Sequence, residues 1–336
     1  MPQKFVGDLS KHDPLHHFLS HDVLPQIRQD IHHPEFSVFR FHSINNKVFL
    51  YEEKHTKTKV VGKFFNDGLH QSTKSSERAQ REFQNLVTLR NSGFENHPHH
   101  VIKPLAYNAH INDLLVEEYA HGDSLARILQ YALQDGKYDL LFHKLRSLAY
   151  FLASMHNRTA NGTQVDFNSD CLYFYHLIGQ LKKLRGLSSH DVNLFSNLCE
   201  EWRNKSHMWE DQQVLVHGDA TPPNFIFGEG NNVTAIDLER MKYADRVFDL
   251  GRIVGELQHY FLNVKKNKSA AEPFIGHFLW EYSRHFPNHA EAFRSITARI
   301  PFQIAITLLR IARNPWISHE YCHQLLREAK KTLGYS

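Results

Sequence analysis

The sequence predicts an α+β chain of two lobes, a small antiparallel β lobe with one helix followed by a larger, mostly helical lobe. Three observations carry that expectation. Alternating runs rich in β-branched and aromatic residues crowd the stretch before Tyr119. Long stretches of helical periodicity dominate after Ala120. One β-rich interlude, at 214–238, interrupts those helices. With 336 residues and 41% hydrophobic content, the chain can bury a large core and divide it between two lobes.

Taken in order, residues 1–33 read as a helical leader, with Leu15, Phe18, Leu19, Leu24, Ile27 and Ile31 at roughly helical intervals and Pro25 interrupting. Strands are expected from Phe36 to Phe41, Val48 to Glu52 and Lys59 to Phe65. Ser76 to Arg90 carries Ala79, Phe83, Leu86, Val87 and Leu89 on one side and reads as a helix. Val101 to Tyr107 and Asp113 to Tyr119 complete a lobe over 34–119. The larger lobe, 120–336, opens at a hinge near Glu118 to Gly122. Its helices are expected at Leu125 to Leu133, Tyr138 to His156, Cys171 to Leu184, Val192 to Trp209, Asp249 to Leu262, Glu272 to Phe286, Ala290 to Arg313 and Ser318 to Leu333. Pro301 is expected to break or kink the seventh.

Composition excludes some classes. A formal net charge of +3 gives no support to nucleic-acid binding through bulk electrostatics. Cys171, Cys199 and Cys322 stand far apart and suit reduced, packed thiols of a cytosolic protein. MPQKFVGDLSKHD lacks the apolar region of a secretory signal, and the apolar stretch Ile300 to Leu309 is too short to span a bilayer. A soluble, cytoplasmic protein with neither nucleic-acid nor membrane partner is expected. The 26 histidines are scattered, which suits surface and loop positions. His319 to His323 reads H-E-x-x-H, the pattern of a zinc-protease helix. Little chain follows it to supply a third ligand, and Ser318 as N-cap with Glu320 in the first turn explains it as an ordinary helix start.

The informative segment is Leu215 to Phe227, LVHGDATPPNFIF, followed by AIDLE at 235–239. Asp219 and Asn224 stand in the D-x-x-x-x-N relation of a kinase catalytic loop, and Asp237 follows an apolar strand. Phosphoryl transfer asks a protein mainly to position groups and neutralise charge, which an Asp at the attacking hydroxyl and an Asn and Asp on magnesium accomplish. With the later D-L-x-R at 249–252, the order V-H-G-D-x-x-x-x-N-F, I-D-x-E, D-L-x-R resembles the aminoglycoside phosphotransferase and choline kinase-like family. That family has a bilobal protein-kinase-like fold and phosphorylates small molecules. The similarity extends from about Phe36 to Arg252, and more loosely through the helices beyond.

The resemblance implies ATP, with GTP as an alternative, and Mg2+. Asp219 would be the catalytic base; the bland reading is a turn Asp before two prolines. Asn224 and Asp237 would hold metal, with an Asx turn the alternative for Asn224. Glu239 would touch a metal-bound water or the substrate, or lie on the surface. His217 would brace the loop, and Asp249 would accept hydrogen bonds from its backbone or cap a helix. Lys63, in VVGKFF, would bind phosphates, with Glu82 as its partner ahead of Glu77. Backbone groups at Glu117 and Tyr119 would bind adenine.

HSINNK, His42 to Lys47, has no glycine where protein kinases carry a Gly-rich loop; Asn45 and Asn46 tolerate left-handed turns and substitute sterically. Too few residues follow Glu239 for the activation segment of a protein kinase, so a small-molecule acceptor is expected. Eleven Lys and Arg against five Glu and no Asp from Phe261 to Ser336 favour a neutral or anionic acceptor such as a sugar or polyol over an aminoglycoside. A choline cage would draw on Trp209, Trp280, Tyr282 and Trp316. Arg313 and His319 are candidate acceptor contacts. The competing reading is a silent nucleotide-binding or scaffolding module; the oligomeric state is open.

Overall fold

The computed structural model describes residues 3–41, 47–66 and 73–335. The turn expected to replace a Gly-rich loop, at 42–46, lies outside the described residues. The chain divides into one unit of Met1–Gly122 with Thr234–Glu239 and another of Asp123–Val233 with Arg240–Ser336.

The first unit opens with strand β1 (Gln3–Asp8), where a helical leader was expected. A helical segment follows, beginning as α1 (Pro14–Phe18), started by the Asp13 side chain accepting from Leu15 N and by Pro14 in its first turn, and continuing through wider and tighter helical turns over Leu19–Val23 and Leu24–Gln26. The apolar pattern is real, since Leu15, Phe18, Leu19 and Leu24 are buried on this helical segment. Then come β2 (Phe36–Phe41), β3 (Lys47–Glu53), β4 (Lys59–Phe64), α2 (Thr73–Leu89), β5 (His99–Val101), β6 (Pro104–Asn108) and β7 (Leu114–Glu118). The sheet runs β1-β2-β3-β4-β7-β6, antiparallel at every neighbour. Alternation sends Val60 and Val116 into the core formed with the N-terminal segment, so Val61 and Lys63 take the opposite face. Helix α2 packs against β6 and β7.

The second unit begins with β8 (Asp123–Ser124) and α3 (Leu125–Asp135), capped by the Ser124 hydroxyl and closed by Gly136 in a left-handed conformation. Helices α4 (Tyr138–Arg158), α5 (Phe167–Arg185) and α6 (Ser189–Arg203) precede β9 (Val214–Val216) and β10 (Phe225–Phe227). After β11 (Val233–Ala235) and β12 (Lys242–Ala244) come α7 (Val247–Lys265), α8 (Glu272–Ser283), α9 (His289–Ala312) and α10 (His319–Thr332). Strand β12 pairs with β9, and β10 with β8.

Pro301 does not break α9, which runs on through it. The lost hydrogen bond costs about 3 kcal/mol, and burial of Ile300, Phe302, Ile304 and Ile306 around it outweighs that. By length and composition α9 would suffice to cross a membrane, yet 72% of that window is buried inside the protein. Helix α7 crosses α9 closely: a Cβ on Gly251 would stand 2.3 Å from Gln303 Cβ, and one on Gly255 would stand 2.6 Å from Thr307 Cβ. Buried charge knits this unit together, with Arg299 bonded to Asp211 and Asp245, and Arg246 to Asp211. All three cysteines are free and buried. Ser318 caps α10 by accepting from Tyr321 N, as the helix-start reading of H-E-x-x-H expects.

Candidate active site

In the second unit, β9 delivers His217, Gly218 and Asp219 into a loop that Asp249 clamps. Asp249, fully buried in the first turn of α7, accepts His217 N at 2.6 Å and Gly218 N at 3.1 Å. Burial favours its neutral form, but His156 and the His217 amide outweigh that and hold the carboxyl below the ordinary range. His156 Nε2 lies 3.2 Å from Asp249, and its Nδ1 lies 2.8 Å from the Tyr282 hydroxyl. Burial keeps this ring neutral, so the network assigns Nε2–H as donor to Asp249 and Nδ1 as acceptor from Tyr282.

Gly218 is required here. Its φ is +80°, and a Cβ would fall 2.0 Å from Arg240 O. The Asp219 amide then points at His217 Nδ1, 3.3 Å away, and the His217 ring packs on Phe225. Asn224 closes the loop by donating from Nδ2 to Asp219 O at 2.9 Å, which leaves its Oδ1 as the atom able to ligate a cation. Asp219 itself accepts Arg310 Nη2 on Oδ1 at 2.9 Å. Arg310 was not anticipated. Arg313, the named candidate, bonds Gln180 instead, and His319 meets His323 edge to face at the exposed start of α10. Arg313 stands past the last residue of α9, whereas Arg310 is still within it. The four aromatics considered for a cage have separate surroundings: Tyr282 is buried on His156, Trp209 packs on Phe167, Trp280 packs on Phe293 and Trp316 is exposed.

In the first unit Lys63 is buried, with Nζ 2.6 Å from Glu82 Oε1 and 3.1 Å from Glu117 Oε2. Glu77 is exposed, so the lysine takes Glu82. Burial would strip the lysine of its proton, but Glu117, Glu82 and Asp237 outweigh it and raise its pKa above the ordinary value. Burial also pushes Glu82 and Glu117 upward, against the pull of Lys63. The side chain of Glu117 was missed, since only its backbone was considered. The register could have found it. Val61 pairs with Glu117 and Lys63 with Leu115, which puts Glu117 diagonally across from Lys63 on one face. Tyr119 lies just beyond β7, with Lys59 over its ring.

The segment Thr234–Glu239 is held in this unit by Ile102 N on Ala235 O and Asn85 Nδ2 on Leu238 O. Asp237 has φ +65°, a left-handed conformation unusual for a residue with a side chain. The strand ends before it, and Glu239, two residues on, pairs with Arg78 at 2.7 Å. Ligand oxygens of Glu82, Asp237 and Glu239 all lie within 4.8 Å of one another, and Glu82 Oε2 is buried without a partner. An all-carboxylate set with an unspent oxygen fits a hard divalent cation.

Comparison with known proteins bears on the fold and the family. No curated protein matches the sequence. Among solved structures, a Plasmodium vivax ethanolamine kinase superposes with a TM-score of 0.58 at 14% identity, over 88% of this chain and 82% of that one. A choline kinase from Streptococcus pneumoniae gives 0.54 at 16%, over 93% and 96%. An amicoumacin kinase in complex with AMP-PNP, Ca2+ and Ami gives 0.57 at 14%, over 88% and 87%. These likenesses establish the protein-kinase-like fold. The model of the phosphotransferase enzyme family matches residues 40–283, well over half of the 336. The chain is a member of the phosphotransferase enzyme family.

Proposed function

We propose that this phosphotransferase moves the terminal phosphoryl group of ATP to a hydroxyl of a small molecule such as a sugar or polyol. The observation that carries the reading is the clamp of Asp249 on the His217 and Gly218 amides, which fixes Asp219 and Asn224 as one rigid loop. In this reading Asp219 takes the acceptor's proton as the new O–P bond forms and the bond to the departing diphosphate oxygen breaks. Asn224 and Asp237 would hold Mg2+, which would supply positive charge to the phosphates. Lys63, kept protonated by its carboxylates, binds phosphate oxygens, and Glu82 fixes its position. The backbone at Glu117 and Tyr119 meets the adenine.

The short segment between Glu239 and Asp249 leaves no room for a peptide-binding activation segment, which supports a small acceptor. The excess of Lys and Arg after Phe261 favours one that is not a polycation. The test is ADP release from ATP or GTP with Mg2+ across sugars, polyols, amino alcohols and aminoglycosides. Transfer that disappears in Asp219→Ala supports the reading. Nucleotide binding without transfer to any acceptor class would instead identify a silent nucleotide-binding protein.

A further inference from the structure

The tight crossing of α7 and α9 has chemistry beside it. Arg252 follows Gly251, one of the two glycines that let the helices approach, and Arg310 lies three residues beyond Thr307, which faces the other. Arg310 uses Nη2 on Asp219, while its Nη1 is buried with no hydrogen-bond partner. Arg252 is 3% exposed, and its Nη1 is likewise buried and partnerless. Its guanidinium leans toward the Phe248 ring, 5.8 Å from the centroid.

The other buried arginines of this unit behave differently. Arg246 and Arg299 each reach carboxylates, on Asp211 and on Asp211 with Asp245. Burying an unpaired charge is costly, and proteins ordinarily avoid it by pairing. Around Arg252 burial comes first and repulsion from Arg310 second, and together they lower its pKa to about 10. Asp219 and Glu256 offset this in part. Glu256 stands one turn along α7, yet it makes no ion pair with either arginine among the described residues. Two planar donors thus stand with unspent N–H groups beside the residue proposed to receive the acceptor's proton. Such forks match carboxylate and phosphate oxygens.

We propose that the acceptor carries a carboxylate or phosphate group close to its reactive hydroxyl, and that Arg252 and Arg310 bind that group. The inference rests on Asp219 being the base. Arg310 occupies Oδ1 of Asp219, so Oδ2 remains for the hydroxyl, and the anionic group lies beside it on the guanidinium pair. The acceptor class is then a short hydroxy acid or a phosphorylated polyol, and the same buried charges reject a cationic amino alcohol.

The test is thermal unfolding at constant ionic strength with saturating magnesium AMP-PNP, so that the nucleotide's own phosphate contacts are filled, while inorganic phosphate is titrated in. A saturable rise in Tm is expected, with apparent affinity at least tenfold weaker in Arg252→Gln and partly recovered in Arg252→Lys. Cooperative unfolding of each variant certifies that it folds. In parallel, ADP release is compared between glycerate and glyceramide and between glycerol 3-phosphate and glycerol. The charged member of at least one pair is expected to lead by tenfold or more in kcat/KM, with the lead lost in Arg252→Gln. Absence of a saturable phosphate response, its survival in Arg252→Gln, or a lead for the neutral members overturns the proposal. A phosphate response without any response to AMP-PNP would sink the kinase reading and leave the anion site standing.

Discussion

Glu117 reaches across the sheet to Lys63, so the buried lysine of the first unit serves two carboxylates, its other partner being Glu82 from α2. Removing the lysine strands both. Lys63→Met is expected to destabilise the protein by about 3–5 kcal/mol in urea unfolding. Glu117→Gln keeps a hydrogen-bonding oxygen and relieves repulsion with Glu82, so it should cost under about 1 kcal/mol. Equal losses from the two substitutions would show that Glu117 is essential for holding Lys63.

Asp219→Ala should lower phosphoryl transfer by ~10²–10⁴-fold while leaving the nucleotide-induced thermal shift in place. Residual transfer above a tenth of wild type, measured as ADP release, would remove Asp219 from the role of base.

Gly218→Ala places a methyl group against Arg240 O in a backbone conformation with φ +80°. A penalty of about 1–3 kcal/mol is expected from the strained backbone alone, with more from the clash. Because this loop also carries Asp219, transfer should fall more steeply than stability. A Gly218→Ala protein with wild-type activity would mean that the loop is not held as described.

Stability should depend on pH through His100 and His259, both lowered to about 4 by burial. The folded protein keeps these rings neutral, whereas the unfolded chain protonates them below about 6.5. Their contribution is therefore present above pH 6.5 and lost as pH falls toward 4. Tm should decline across that interval, and His259→Gln should flatten the decline. A slope that is unchanged in the variant would assign the effect to other groups.

Much of the candidate site is legible because its parts are local in sequence. Asp219, Asn224 and Asp249 announce themselves by spacing, and Lys63 by a strand whose alternation leaves no doubt about its face. What escaped is tertiary. Arg310 meets Asp219 across 91 residues, and Glu117 meets Lys63 across 54. Pro301 leaves α9 unbroken because the breaking rule concerns an isolated helix and α9 is embedded in apolar neighbours. Strand β1 was missed because Phe5 and Val6 are adjacent and both exposed, so no buried face writes a period of two into the sequence.

Arg299 has a last implication. It supplies counter-charge to Asp211 and Asp245 from 88 and 54 residues downstream. During synthesis Asp245 therefore waits for the distant cation before it can be enclosed, while Asp211 already has Arg246. A transcript cut short before codon 299 would yield a product in which Asp245 lacks its ion-pair partner and Asp211 keeps only Arg246. Such a fragment should remain open, associate with chaperones and be degraded, which makes the stretch from Arg299 to Ser336 indispensable for a durable polypeptide.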